Sequence, residues 1–104
     1  MTNRLQKKTG HSIAITMGDP SGIGPEIVVK AWRALRHETP QLELRIVGDQ
    51  ALLLSLADPS EQAHLAACLV DTGSRGPYPL GQISPASGQA SFEAVTQATQ
   101  LVMQ

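Results

Sequence analysis

The sequence predicts an α/β fold in which helices cover a parallel or mixed β-sheet. Short segments rich in β-branched residues alternate with segments of helical periodicity, an order typical of this class. Clusters of glycine, proline and aspartate separate the segments. Hydrophobic residues make up 41% of the 104 residues and aromatic residues only 3%, so we expect one small domain with an aliphatic core.

The first strand and the first helix are predicted from the opening part of the chain. Residues 12–17 (SIAITM) predict a short buried strand, which Gly18 ends. A helix is expected to begin at Pro25, because proline lacks the N–H group that stays unpaired in a first helical turn. Pro40 prevents its continuation. The apolar residues expected to face the core are spaced four apart: Ile27, Ala31 and Leu35.

The rest of the chain predicts two more strands and three more helices. Asp49 and Ser60 are the candidate N-caps of two short helices, because both side chains can accept a hydrogen bond from a free backbone N–H. Residues 71–85 contain three glycines and three prolines and predict a loop. The predicted elements are a strand at 42–47, helices at 49–56 and 61–67, a strand at 68–70 and a helix at 87–104. Four apolar residues of the last helix are expected to point mostly inward: Phe92, Val95, Leu101 and Val102.

Composition and charge exclude several functional classes. The formal net charge is −1 and the sequence pI is about 6.2, which argues against a general electrostatic nucleic-acid binder. No segment approaches the apolar length that crosses a membrane. Cys68 is the only cysteine, so an internal disulfide is excluded. Residues 1–11 are polar and basic, so we expect a disordered tail before a partial α/β domain at 12–104, in a cytoplasmic protein.

A glycine-rich loop follows the first predicted strand and is the candidate binding site. Residues 18–26 read GDPSGIGPE, and open α/β sheets bind ligands beyond the carboxyl ends of their strands. We expect this loop to form one wall of a cofactor pocket. Its candidate binding residues are three glycines and one carboxylate acceptor: Gly18, Gly22, Gly24 and Asp19. A β-branched residue at Gly24 is expected to damage this loop more than the fold.

The loop differs from the two common phosphate-binding motifs. Its glycines lie at spacings of four and two, unlike the dinucleotide fingerprint, and no Lys-Ser/Thr pair follows as in a P-loop. Pro25 removes a donor from the helix N-terminus and Glu26 already places a negative charge there, so a phosphate would be repelled. The alternative role for the loop is a rigid strand–helix turn in which Asp19 caps the backbone locally.

Residues 15–27 (ITMGDPSGIGPEI) resemble the N-terminal signature of the 4-hydroxythreonine-4-phosphate dehydrogenase family. The shorter segment GIGPE also resembles the first loop of isocitrate and isopropylmalate dehydrogenases, whose fold that family resembles. Residues 47–49 (VGD) are similar to the end of the family's second strand, and the segment from Ser87 is similar to the helix after its long loop. The resemblance implies the N-terminal portion of an isocitrate/isopropylmalate dehydrogenase-like fold. Members are several times longer, so we expect this fold to be truncated.

The resemblance also implies an enzyme, an NAD(P)-dependent and metal-dependent dehydrogenase that acts on a CH–OH group. Members oxidise 4-phosphohydroxy-L-threonine with loss of carbon dioxide, in the biosynthesis of pyridoxal 5′-phosphate. Their relatives act on phosphorylated threonate or erythronate, or on aromatic cis-dihydrodiols. The family forms homodimers in which histidines hold a divalent metal ion. For the complete protein the resemblance therefore implies NAD or NADP, a divalent metal ion, a small phosphorylated hydroxy acid and a second subunit.

No residue of this chain is assigned a catalytic or metal-binding role, and the chain alone is expected to be inactive. Its three histidines, His11, His37 and His64, fall in no family motif and are expected to be solvated. Two alternatives stay open. One is a non-catalytic module that binds a nucleotide or a small acid through the glycine-rich loop. The other is a structural protein that pairs through its last helix, which carries no charged residue from Ala94 onward.

Overall fold

A computed structural model describes residues 12–82 and 84–102, which form three strands and four helices. The elements are β1 (Ser12–Thr16), α1 (Gly24–Glu38), β2 (Glu43–Gly48), α2 (Gln50–Ser55), α3 (Gln62–Cys68), β3 (Leu69–Asp71) and α4 (Pro85–Val102). The predicted order of elements is confirmed. The predicted tail at 1–11 and helical residues 103–104 lie outside the described residues. None of the helices described has the length and hydropathy needed to span a membrane.

The three described strands form one parallel sheet in the order β1-β2-β3, which confirms the predicted α/β class. In the pairing of β1 with β2, Ala14 lies opposite Arg45. In the pairing of β2 with β3, Val47 lies opposite Val70. Because the strands run in the same direction, the segments that follow them begin at one common edge of the sheet.

Helix α1 buries a different face from the one predicted. Ile27 is 53% exposed, and Ala31 and Leu35 are only partly buried, so the predicted stripe is wrong as the main core face. The buried residues of α1 are Pro25, Val28, Val29 and Trp32. These positions follow the three- and four-residue spacing of a single helix face. That face carries the larger apolar area because it includes the only tryptophan.

The main hydrophobic core lies between β2 and the first three helices. Leu44 and Ile46 are two residues apart on β2 and therefore project from the same face of the sheet. They belong to a buried cluster with residues of all three helices: Val28, Val29, Trp32, Leu53 and Leu65. The cluster is mainly aliphatic, as the composition predicted.

The two predicted N-caps have different outcomes. Asp49 caps α2, because its carboxylate accepts a hydrogen bond of 3.2 Å from the backbone N–H of Leu52. The cap predicted at Ser60 is wrong. The N-cap residue of α3 is Glu61, whose carboxylate makes no capping bond and instead binds Arg33.

Helix α4 lies against β1 and β2 and buries its small residues. Ser87, Ala90 and Ala94 are its buried positions, and their short side chains let the helix approach the strands closely. The expected inward orientation of the larger apolar residues is wrong. Leu101 is only partly buried. The side chains of Phe92, Val95 and Val102 are 66%, 52% and 68% exposed, respectively.

Candidate functional site

The glycine-rich loop leaves the carboxyl end of β1 and is shaped by its own backbone hydrogen bonds. Gly18 has a φ of 74°, in the left-handed region that favours glycine. The backbone N–H of Ser21 donates to Oδ1 of Asp19 at 2.9 Å, and that of Gly22 donates to the Asp19 carbonyl oxygen at 3.0 Å. Asp19 is nevertheless exposed. It therefore caps the turn while its carboxylate still faces solvent.

Gly24 has a packing role at the junction of the loop and α1. A Cβ atom at Gly24 would lie 2.5 Å from the carbonyl oxygen of Met17, so only glycine lets the start of α1 approach the end of β1 this closely. A substitution there strains the fold as well as the loop, which differs from the expected damage mainly to the loop. At Gly22 the nearest atom, the Asp19 carbonyl oxygen, lies 3.7 Å away, an ordinary contact distance.

Asp19 lines an open cleft of about 420 Å³ between the glycine-rich loop and α4. We call it the Asp19 cleft. Its other lining residues all belong to α4: Ser87, Gly88, Ser91, Phe92 and Val95. None of the described residues that line it is cationic. A carboxylate, hydroxyl groups and an aromatic ring suit a ligand that carries hydroxyl groups and a flat apolar surface, and they do not suit a phosphate group.

A second cleft, of about 330 Å³, lies beside the same loop. Pro20, the residue after Asp19, lines it together with Asp49 and the segment that connects β3 to α4. The glycine-rich loop thus contributes neighbouring residues to two separate clefts. From the connecting segment, five residues line the second cleft: Arg75, Gly76, Pro77, Tyr78 and Leu80.

Ionic and hydrogen-bonding contacts tie the connecting segment to the ends of β2 and β3. The hydroxyl group of Tyr78 donates to Oδ2 of the buried Asp49 at 2.7 Å. Arg75 donates two hydrogen bonds, of 3.0 and 2.8 Å, to the carboxylate of Asp71. The Arg75 guanidinium also lies 3.7 Å from Oδ1 of Asp49. These contacts hold the wall of the second cleft in place.

The same contacts fix the protonation states of two groups. The hydrogen bonds from Arg75 lower the pKa of Asp71 to about 2. Burial, together with the hydrogen bond to Asp49, raises the pKa of Tyr78 well above its ordinary value. At neutral pH Asp71 is therefore charged, whereas Tyr78 is a neutral hydrogen-bond donor.

Two further contacts join the connecting segment to the other walls. The backbone N–H of Gly81 donates to the carbonyl oxygen of Ser21 in the glycine-rich loop at 2.7 Å. The hydroxyl group of Ser74 donates to Oε1 of Glu93 on α4 at 3.0 Å. The glycine-rich loop, the strand ends and α4 are thereby linked around both clefts.

The structure places the predicted loop residues at one edge of the sheet but gives them unequal roles. Asp19 faces a cleft, whereas Gly18 and Gly24 shape the backbone behind it. The contributions of Asp49 and Asp71 to this edge were not predicted from the sequence. A signal was available, since both residues stand at the carboxyl end of a predicted strand, as the glycine-rich loop does.

The described residues supply no obvious metal site. Across residues 12–82 and 84–102, no group of three or more His, Cys, Asp or Glu side chains is placed to hold a metal ion. His37 and His64 are both exposed, and His11 lies outside the described residues. This part of the chain therefore does not fit the divalent metal ion that the resemblance implies.

The fold and the loop are those of an α/β protein with a candidate binding site at the carboxyl edge of a parallel sheet. No protein-family model matches the chain. The 4-hydroxythreonine-4-phosphate dehydrogenase of Synechococcus sp. (strain RCC307) is 37% identical over 103 residues, which cover 88% of this chain and 29% of the relative. The protein of the same name from Caulobacter vibrioides is 49% identical over 47 residues, 45% of this chain and 14% of the relative.

Solved structures show the same similarity. The crystal structure of a 4-hydroxythreonine-4-phosphate dehydrogenase from Burkholderia phymatum matches with a TM-score of 0.66 and 27% identity, over 88% of this chain and 32% of that one. The resemblance to the 4-hydroxythreonine-4-phosphate dehydrogenase family is therefore confirmed in both sequence and fold. The relatives are dehydrogenases, so the chain resembles a family of oxidoreductases. It spans 29% of the Synechococcus relative, less than a third of that protein's length.

Proposed function

We propose that this chain forms part of an NAD(P)-dependent dehydrogenase whose complete form oxidises the secondary alcohol of 4-phosphohydroxy-L-threonine, with loss of carbon dioxide, in the biosynthesis of pyridoxal 5′-phosphate. One observation carries the proposal. The exposed Asp19 lines a cleft at the carboxyl edge of the sheet. It does so in a chain of which 88% matches a protein named 4-hydroxythreonine-4-phosphate dehydrogenase. The related substrates, phosphorylated threonate or erythronate and aromatic cis-dihydrodiols, are the alternatives.

We assign to the residues of this chain the binding and orientation of the cofactor and the substrate, and no chemical step. Oδ1 of Asp19 is engaged by the backbone N–H of Ser21, so Oδ2 is the acceptor we assign to a hydroxyl group of the cofactor ribose or of the substrate. Phe92 offers a flat wall for a planar ring. NAD(P), when bound, supplies the hydride acceptor.

Other parts of the complete protein must provide the remaining groups. The described residues lining the Asp19 cleft include no cation, so we assign the substrate phosphate to groups outside the cleft. We likewise assign the ligands of the divalent metal ion to residues outside the described ranges, and the homodimer to the complete protein. No chemical step is attributed to residues of this chain.

A chimaera tests the proposal. Residues 12–102 of this chain replace the matching segment of the Synechococcus enzyme, and formation of NADH or NADPH from 4-phosphohydroxy-L-threonine is measured. We expect turnover within about tenfold of the parent enzyme, since a tenfold change corresponds to only about 1.4 kcal/mol of activation free energy. A phosphorylated threonate and a cis-dihydrodiol are assayed in parallel to identify the preferred substrate.

Two variants of the chimaera test the role of Asp19. Asp19→Asn keeps the shape of the side chain but removes its charge, so we expect a weaker hydrogen bond to the ligand and a raised KM. Glu26→Gln is the matched control, because Glu26 is an exposed acidic residue that does not line the Asp19 cleft. A folded chimaera without turnover on any of the three substrate classes would contradict the dehydrogenase proposal and favour the non-catalytic binding module.

A further inference from the structure

A third cleft, of about 310 Å³, lies at the opposite edge of the sheet from the glycine-rich loop. It is bordered by the last turns of α1, by the segment that leads into β2, and by the end of α3. We call it the Arg36 cleft. Its walls are mainly apolar and include Trp32, Leu35, Leu42 and Leu44. The dehydrogenase proposed above has no use for this cleft, because its ligands belong at the carboxyl edge.

Among the described residues that line the Arg36 cleft, one buried polar atom has no hydrogen-bond partner. The guanidinium of Arg36 lies 4.8 Å from the centroid of the Trp32 ring, over its face. Its Nη1 atom is buried, and among the described residues no group accepts a hydrogen bond from it. A buried, charged donor without an acceptor is energetically unfavourable, so a ligand that supplies the acceptor gains that free energy on binding.

The nearest acidic group does not satisfy Arg36. Glu61 is close enough for the Arg36 charge to contribute to lowering its pKa. Both carboxylate oxygens of Glu61 are, however, bonded to Arg33, at 2.7 and 2.9 Å. Arg33 is thus paired, whereas Arg36, among the described residues that line this cleft, has no carboxylate hydrogen-bonded to it.

We propose that the Arg36 cleft binds a small apolar monocarboxylate. The carboxylate accepts a charge-assisted hydrogen bond from the guanidinium of Arg36, and the hydrocarbon body lies against the leucine side chains of the walls. The volume of about 310 Å³ is at the lower end of small-molecule sites and suits a ligand with few heavy atoms. Among the described lining residues, one arginine without a paired carboxylate lies between apolar walls, which favours a monoanion. A phosphate dianion would keep a second negative charge that no cation neutralises.

Two residues that line the cleft can be used to detect ligand binding. Trp32 is the only tryptophan and Cys68 the only cysteine of the chain, and both line it. Cyclohexanecarboxylate is a suitable probe, because it does not absorb where tryptophan is excited. We expect a saturable change in Trp32 fluorescence and a slower alkylation of Cys68 by iodoacetamide, with the same midpoint concentration. Cyclohexylmethanol, the neutral analogue, is expected to bind at least about tenfold more weakly because it forms no charge-assisted hydrogen bond.

Variants separate the charge from the shape of the cleft. Arg36→Gln is expected to weaken binding about tenfold, since it removes the charged donor. Arg45→Gln is the matched control, because Arg45 is a half-exposed arginine on β2 that does not line the cleft. Leu42→Phe keeps Arg36 but fills the cleft, and it is expected to abolish the protection of Cys68. Thermal unfolding measured by circular dichroism checks that each variant is folded.

Three results would overturn the proposal. One is the absence of a saturable signal up to about 10 mM probe, a concentration at which even millimolar binding is detected. The others are equal affinity for the neutral alcohol and unchanged affinity in Arg36→Gln. The inference is independent of the proposed dehydrogenase function, which concerns the opposite edge of the sheet. Its failure would leave that function unaffected.

Discussion

The hydroxyl group of Tyr78 donates a hydrogen bond of 2.7 Å to Oδ2 of Asp49, across 29 residues of sequence. Asp49 is only 1% exposed, and its Oδ1 atom accepts the backbone N–H of Leu52. A single carboxylate therefore caps α2 and also anchors the segment between β3 and α4. This side chain thereby links the start of α2 to the wall of the second cleft.

Tyr78 should resist ionisation as long as the protein is folded. Burial and the Asp49 contact raise its pKa above the ordinary value of 10.0. Since the pKa is higher in the folded than in the unfolded state, the associated stability is present below about pH 10 and is lost as the pH rises further. Tyr78 is the only tyrosine, so tyrosinate absorbance measures it directly.

Circular dichroism recorded in the same alkaline titration provides the control. We expect the tyrosinate signal to appear together with loss of the helical signal, because ionisation requires the segment to open. A tyrosinate midpoint near pH 10 in a chain that remains folded would contradict the burial of this hydroxyl group.

Glu61→Gln should weaken the acid dependence of stability. The hydrogen bonds from Arg33 lower the pKa of Glu61 from 4.5 to about 2. Because the pKa is lower in the folded than in the unfolded state, this stabilisation is present above about pH 4.5 and is lost as the pH falls toward 2. Urea unfolding at a series of pH values measures it.

In the parent chain, the free energy of unfolding should fall between about pH 4.5 and pH 2 more steeply than in Glu61→Gln. Glu38→Gln is the matched control, because Glu38 is an exposed acidic residue of α1. Parallel acid dependences in the parent and in Glu61→Gln would show that the Arg33 contact does not persist in solution.

Local signals in the sequence predicted the order of elements and the Asp49 cap, but they did not predict which helix faces are buried. In α1, both Ile27 with Ala31 and Val28 with Trp32 have helical spacing. The second pair faces the core. In α4 the residues that face the strands are small. Phe92 was instead predicted to face inward, because large apolar residues are more often buried. Such choices depend on the packing partners, which a single helix does not specify.

The candidate site divides in the same way. The loop at the end of β1 could be found from its glycines and from its place after a strand. The Tyr78–Asp49 and Ser74–Glu93 contacts could not be predicted from the sequence. Each joins two residues that are far apart in sequence, and one residue of each pair lies in the irregular segment between β3 and α4. Neither periodicity nor turn propensity determines the path of such a segment.

Gly24→Ala should destabilise the fold, although alanine is among the smallest substitutions. The new Cβ atom would lie 2.5 Å from the carbonyl oxygen of Met17, so α1 or the end of β1 must shift. We expect the free energy of unfolding to fall by about 1–3 kcal/mol in urea titrations. Gly22→Ala is the control, with an expected change within about 0.5 kcal/mol, because its Cβ would make only an ordinary contact. Similar losses of unfolding free energy in both variants would mean that the close approach of Gly24 to Met17 does not cause the destabilisation.

The isolated chain should form no NADH or NADPH from 4-phosphohydroxy-L-threonine, even with a divalent cation present. The described residues offer no group of three metal ligands, and those lining the Asp19 cleft offer no cation for the substrate phosphate. The chimaera described above serves as the positive control in the same absorbance assay. Metal-dependent turnover by the purified chain would overturn the interpretation of the chain as an inactive part of a longer dehydrogenase.

Helix α4 should cause the isolated chain to self-associate. Phe92, Val95 and Val102 are all more than half exposed, and their spacing places them on one side of the helix. The chain carries no charged residue from Ala94 onward, so no charge repulsion keeps these surfaces apart. We expect light scattering to detect species above the monomer mass of 11.0 kDa.

Charge placed on that surface should reverse the association. The double variant Val95→Lys with Val102→Lys is expected to scatter as a monomer, because lysine side chains on the contact surface repel and remain hydrated. Gln100→Lys adds a charge on another side of α4, at an exposed position, and should leave the association unchanged. If the parent chain is already a monodisperse monomer with a cooperative thermal transition, this surface does not drive association, and the self-sufficient binding module gains support.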